Sequence, residues 1–125
     1  MEITLNHTII YSKNNIKAAR FYEHIFGFKY LKQWEKFAVL QVNSTLTFDF
    51  MNKEKFTKQH YAFKVTEEEF SEIFSRVRAE KLIYGSSPNR LDDMRINYHY
   101  GGRGVYFKDL DGHILEILTE DYVLD

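Results

Sequence analysis

Two histidines and one glutamate stand where a polar side chain needs a reason. His7 and His60 each open a strand-like run, Asn6-His7-Thr8-Ile9-Ile10 and Gln59-His60-Tyr61-Ala62-Phe63, and Glu116 lies inside Ile114-Leu115-Glu116-Ile117-Leu118. Two imidazoles and a carboxylate are a ligand set for a divalent metal ion, and with no Cys in the chain a metal here takes nitrogen and oxygen donors. Three protein ligands leave coordination positions for water and substrate, as catalysis requires and a closed structural site does not. Alternate side chains of a strand share a face, so Glu116 lies with Ile114 and Leu118, away from Leu115 and Ile117. A carboxylate half enclosed by apolar neighbours is costly unless a cation or a donor meets it. The structural alternative pairs Glu116 with an arginine such as Arg103, or leaves it on a solvated sheet face, and makes both histidines hydrogen-bonded core residues.

The elements that must carry these residues repeat. Leu5 to Tyr11 reads as a strand, Ser12 to Asn15 offers N-cap side chains, and Ile16, Ala19, Tyr22 and Phe26 recur at helical spacing up to Gly27. Strands follow at Phe28 to Trp34, Phe37 to Val42 and Thr45 to Met51. The second half starts again with a strand at His60 to Val65, and Thr66 with Glu69 forms a capping box before a helix that fades near Glu80. A short strand at Leu82 to Tyr84, a long polar loop from Ser86 to Gly102, and strands at Arg103 to Lys108 and His113 to Thr119 complete it. His113 falls at a turn and reads as a surface residue. The expected fold class is α+β, with two tandem βαβββ modules whose mixed sheets pair around a central cleft. It forms a single domain, 1–125, with module one at about 1–54 and module two at about 55–125.

Seventeen basic and eighteen acidic residues leave a net charge of −1, which excludes a basic footprint for nucleic acid and favours a small-molecule partner. The first ten residues hold Glu2, Asn6 and His7 and lack a basic leader or a long apolar run. The expectation is a cytoplasmic protein with no membrane partner.

Asn6-His7-Thr8, Phe21-Tyr22-Glu23-His24-Ile25-Phe26-Gly27 and the run from Val105 to Ile117 resemble the vicinal oxygen chelate superfamily. That family holds glyoxalase I, the fosfomycin-resistance thiol transferases, extradiol dioxygenases and bleomycin-sequestering proteins. Leu110 stands where its turn commonly has Pro. The resemblance implies that His7, His60 and Glu116 are the metal ligands, that the ion is Zn, Mn, Ni or Fe, and that the protein is a homodimer, with exchange of modules left open. It implies a glyoxalase-family enzyme acting on a small oxygenated or electrophilic metabolite or antibiotic by Lewis-acid catalysis, of isomerase, lyase, thiol transferase or dioxygenase type. Catalytic roles fall to Glu116 and Tyr106, and substrate contacts to Arg103, Tyr106, Thr47 and His99. The place in module one that corresponds to Glu116 reads as Thr45 or Thr47, with Asp49 a weaker candidate. A missing carboxylate there argues against glyoxalase I, whose proton transfer needs a base, and the ligand trio more closely resembles that of the fosfomycin-resistance thiol transferases or of a dioxygenase. Iron with dioxygen ranks below the other ions, because the familiar extradiol enzymes are much longer chains. The alternative is a metal-free protein that sequesters a drug or metabolite, resembling the bleomycin-resistance proteins and using Trp34, Phe48, Tyr61 and Tyr106 as stacking surface.

Overall fold

The computed structural model describes residues 1–124. Its elements run β1 (His7–Ser12), α1 (Asn15–Phe26), β2 (Lys29–Trp34), β3 (Phe37–Gln41) and β4 (Thr47–Asn52), then β5 (His60–Lys64), α2 (Glu67–Ala79), β6 (Tyr84–Gly85), β7 (Gly104–Lys108) and β8 (Ile114–Leu118). A strand, a helix and three strands occur twice, as the sequence predicts, and the fold class is α+β. Backbone contacts divide the chain into two units, Met1–Thr57 and Lys58–Asp125. Each holds a four-stranded mixed sheet, ordered β1-β4-β3-β2 in the first and β5-β8-β7-β6 in the second.

In the first unit β1 pairs parallel to β4, and a parallel pair needs a crossover, which begins with α1. The Asn14 side chain caps α1 by accepting from the Lys17 amide, and Gly27 ends it at φ 82, a left-handed conformation that other residues resist. Tyr22 is buried on Phe48 and Phe50 of β4, with ring centroids 6.0 and 5.1 Å apart. Phe48 is therefore core rather than ligand-stacking surface. Ile16, expected on the apolar face, is 45% exposed, because it lies about 120° around the helix from Tyr22. The buried place in that turn goes to Asn15, whose amide N–H donates to Asn52 Oδ1 (2.7 Å) and whose Nδ2 donates to the Lys36 carbonyl (3.2 Å). Since β4 turns Phe48 and Phe50 toward α1, alternation turns Thr47 and Asp49 to the opposite face of the sheet.

The second unit follows the same logic. Thr66 and Glu69 form the expected capping box, with reciprocal bonds of 2.9 and 3.1 Å. Phe70, Ile73 and Val77 of α2 are buried, as are Val105 and Phe107 of β7 and Leu115 and Ile117 of β8. β6 begins at Tyr84 rather than Leu82, because the Leu82 amide closes the end of α2 by donating to the Val77 carbonyl at 3.0 Å. The turn lacking Pro is held by Asp109, whose Oδ1 accepts from the amides of Asp111 and His113 at 2.9 Å each. His113 is 1% exposed, contrary to the surface expectation, since its Nδ1 accepts the Gln59 amide at 2.9 Å and ties the turn to the start of β5. The segment from Ser86 to Gly102 is long but pinned. Asp93 accepts from both the Ser86 amide and hydroxyl, Asn97 exchanges backbone bonds of 2.8 and 2.9 Å with Gly104, and a single 3-10 turn spans His99–Gly101.

Candidate functional site

Glu116 sits in the middle of β8 with Leu115 and Ile117 turned into the core, so its own side chain takes the opposite face, yet it is only 3% exposed. Across the ladders it pairs with Ala62 of β5 and Tyr106 of β7. His60, which pairs with Ile114, shares this face, and its Nε2 lies 3.0 Å from Glu116 Oε1. The Tyr106 ring stands 5.8 Å from the His60 ring. Burial first, then the Glu116 charge and a hydrogen bond to that carboxylate, pushes the Tyr106 phenol well above its ordinary value, so it stays protonated and donates. The Glu116 charge also raises the Tyr122 phenol. A cavity of about 190 Å³ opens on this group and is lined further by His99, Tyr100, Arg103 and Tyr122.

Arg103 reaches the cavity wall but not Glu116. Its Nε donates to Glu67 Oε2 (2.7 Å), one terminal nitrogen donates to the Glu67 carbonyl (3.0 Å) and Ser71 Oγ (2.9 Å), and the guanidinium lies 4.3 Å from the centre of the Phe70 ring. The arginine partner that a purely structural Glu116 would take is thus engaged with Glu67.

In the first unit His7 and Asn6 line a cavity of about 540 Å³ with Thr47, Asp49, Leu31 and Trp34. With its proton on Nδ1, His7 donates to Asn6 Oδ1 at 2.8 Å, which orients the ring and leaves the Nε2 lone pair available. Thr47 Oγ1 donates to Asp49 Oδ1 at 3.0 Å. The register corrects the sequence reading of the corresponding place. His60 pairs with Ile114 and Glu116 lies two residues on; His7 pairs with Thr47, and two residues on is Asp49. The counterpart of Glu116 is therefore a carboxylate, and neither Thr45 nor Thr47.

The structure thus gathers His60, Glu116 and Tyr106, with His99 and Arg103 at the same cavity, while His7 and Thr47 share the other cavity with Asp49. Among the described residues no group of three or more His, Cys, Asp or Glu side chains is arranged to hold a metal ion. His60 and Glu116 nonetheless fit two corners of such a site. An ion with bonds of about 2.1 Å and ligands at right angles holds neighbouring donors about 3.0 Å apart, and these two stand 3.0 Å apart. Sequence reasoning missed the roles of Asn6, Tyr100 and Tyr122. Asn6 was visible as the neighbour of His7. Tyr100 and Tyr122 lie outside any strand, where alternation gives no signal.

The comparisons with known proteins agree with this fold. Residues 4–117 match the model of the Glyoxalase/Bleomycin resistance protein/Dioxygenase superfamily. The chain is similar to the metallothiol transferase FosB of Shouchella clausii (strain KSM-K16), 28% identical over 121 residues, covering 92% of this chain and 79% of the relative. Among solved structures it is similar to oxidase ChaP-H2, 38% identical with a TM-score of 0.93 over 98% of this chain and 97% of that one. Oxidase ChaP-H1 is 42% identical with a TM-score of 0.90, over 96% and 98%. From the repeated strand-helix-strands units to the matched span, the chain belongs to the Glyoxalase/Bleomycin resistance protein/Dioxygenase superfamily.

Proposed function

We propose that the chain is a divalent-metal-dependent enzyme of oxidase type, acting on a small oxygenated substrate with dioxygen as the electron acceptor. His60 and Glu116 hold the ion together with His7, supplied by this chain or by a second copy in a homodimer. The observation that carries this reading is the buried Glu116 carboxylate with His60 Nε2 at 3.0 Å, while Arg103 bonds Glu67 instead. The oxidase type is supported by near full-length likeness at 38% and 42% identity to proteins named oxidases, against 28% to a metallothiol transferase. Those oxidases match this chain over 97% and 98% of their own lengths, so chain length no longer counts against dioxygen chemistry.

A bound ion would supply Lewis acidity toward neighbouring substrate oxygens and, if redox-active, a route for electrons to dioxygen. The chain's own residues supply the rest. Tyr106, held protonated, donates a hydrogen bond to an oxygen that gains charge, and Asp49, with Thr47 steadying its Oδ1, is a carboxylate able to accept a proton. His99 and Arg103 contribute polar wall to the cavity at Glu116, and Leu31 and Trp34 contribute apolar wall to the cavity at His7.

The test is metal per chain in freshly purified, untagged protein and in His7→Ala, His60→Ala and Glu116→Ala, followed by an oxygen-electrode screen of small oxygenated compounds with the ion found. About one ion per chain, lost in the variants, supports the reading, and trace metal that is the same in all four proteins overturns it. A second reading, metal-free sequestration of a drug, is favoured by one feature, the exposed Trp34 beside the His7 cavity. Tight drug binding that survives a chelator would establish it.

A further inference from the structure

Two tyrosines close on Glu116 from segments that the strands do not explain. Tyr122 lies on the stretch after β8, and Tyr100 lies in the 3-10 turn His99–Gly101. Their rings meet edge to face, with centroids 5.9 Å apart and planes at 64°, and the rings of His99 and Tyr100 meet in the same way at 6.2 Å. Both tyrosines line the cavity that holds Glu116 and Tyr106, and both remain about half exposed, Tyr100 at 50% and Tyr122 at 53%.

Tyr100 stands there at a cost. Its backbone has φ 56 and ψ 27, the left-handed region in which a Cβ crowds the following carbonyl. Gly101 follows at once with φ 78. A glycine at position 100 would take that shape without strain, so a bulky residue held in it is the kind of local strain that gathers at functional sites. The backbone is fixed by its neighbours: Gly102 N–H donates to the His99 carbonyl at 3.0 Å, and a Cβ on Gly102 would collide with the Thr119 and Glu120 side chains. The 3-10 turn thus has a set place against the chain that leads to Tyr122.

The cavity volume of about 190 Å³ decides what these rings can admit. An apolar cavity of about 150 Å³ takes one benzene ring. Here there is room for one six-membered ring and a substituent, with phenol faces and edges at the mouth and a carboxylate with a phenol donor at the back. Edge-to-face contact rewards a flat ring and gives a puckered one nothing comparable.

We propose that Tyr100 and Tyr122 are specificity-determining residues, a pair of aromatic jambs that restrict the Glu116 cavity to a single planar ring bearing an oxygen. This rests on reading that cavity as the place of the substrate.

The test uses three probes of graded shape: phenol, cyclohexanol and 1-naphthol. Each is titrated into the full chain, chelator-treated and metal-supplemented, and followed by backbone amide shifts of isotope-labelled protein. Phenol should bind saturably, with cyclohexanol and 1-naphthol each weaker by about tenfold. Tyr100→Gly relieves the backbone and Tyr122→Ala removes an exposed ring, so both should fold. Each should weaken phenol by about fivefold, and the double variant should admit 1-naphthol as well as phenol. No saturable phenol binding, equal binding of phenol and cyclohexanol, or shape preference unchanged in the double variant would each overturn the proposal. Ring selectivity in a protein that binds no metal would leave it standing while removing the metal-dependent reading, and stoichiometric metal without ring selectivity would do the reverse.

Discussion

Glu116→Gln separates a metal ligand from a structural acid, because the two roles predict opposite results. The side chain keeps its shape and loses its charge. Unfolding entropy is about 2.1 cal/mol/K per residue, or about 0.26 kcal/mol/K for a chain of this length, so 1 kcal/mol moves Tm by about 4 °C. An ion at about 100 times its Kd stabilises the folded protein by about 2.7 kcal/mol, which raises Tm by about 10 °C. Removing a ligand should cost no less than the roughly 100-fold loss seen when an outer-shell partner is removed. At the same ion concentration the gain then falls to about 0.4 kcal/mol, a shift of about 2 °C. Without metal the sign reverses. Glu116 is 3% exposed, and its ion-pair partner, His60, has a side chain 41% exposed, so replacing the charge with a neutral amide should leave Tm unchanged or raise it. The assay is thermal denaturation of chelator-treated protein, alone and with Zn, Mn, Ni or Fe(II), with metal content measured in parallel. A variant that keeps the full metal shift, or that loses more than about 2 kcal/mol without any metal, would show that the His60–Glu116 contact serves the fold alone.

Three further outcomes follow from particular contacts. The Glu67 carboxyl is held below its ordinary range by its bond to Arg103 and then by the Thr119 hydroxyl, so its contribution is present above the unfolded value and is lost as pH falls through the folded one; Arg103→Met should lower Tm at pH 7 and flatten the acid limb of a Tm-against-pH curve, and an unaltered acid limb would count against the brace. Tyr106 has the opposite sign: its raised folded value means stability is full below the ordinary tyrosine range and falls as pH climbs through it, so Tyr106→Phe should flatten the alkaline limb, checked by denaturation from pH 8 to about 11. Gly85→Ala would drive a Cβ into the Arg90 carbonyl and the Leu91 backbone, and should cost about 2 kcal/mol or more, read as a drop in denaturation midpoint; a neutral result would mean that the 86–92 loop does not pack on β6.

How far the sequence could be read turns on what kind of information each feature needs. Thr66 with Glu69, the helical spacing of Tyr22 and Phe26, and the alternation around Glu116 are local patterns, and each reappears in the structure. Ile16 misled because a spacing of three fits a helical face only when it is centred correctly, and the face centres nearer Asn15 and Tyr22. The place in the first unit that corresponds to Glu116 was hidden for a deeper reason. Alternation identifies which side chains share a face, but sliding a strand by two residues keeps every face and moves every partner. Thr47 and Asp49 are therefore indistinguishable in the sequence, and only the pairing of His7 with Thr47 across 40 residues of chain selects Asp49 as the counterpart of Glu116. That selection changes the chemistry. A threonine at this position could only position a ligand, whereas a carboxylate can accept a proton, so a missing acid no longer excludes proton-transfer chemistry. On the proposed reading, what distinguishes oxidation from isomerisation is no longer the ligand set, but which substrate the cavity at Glu116 admits.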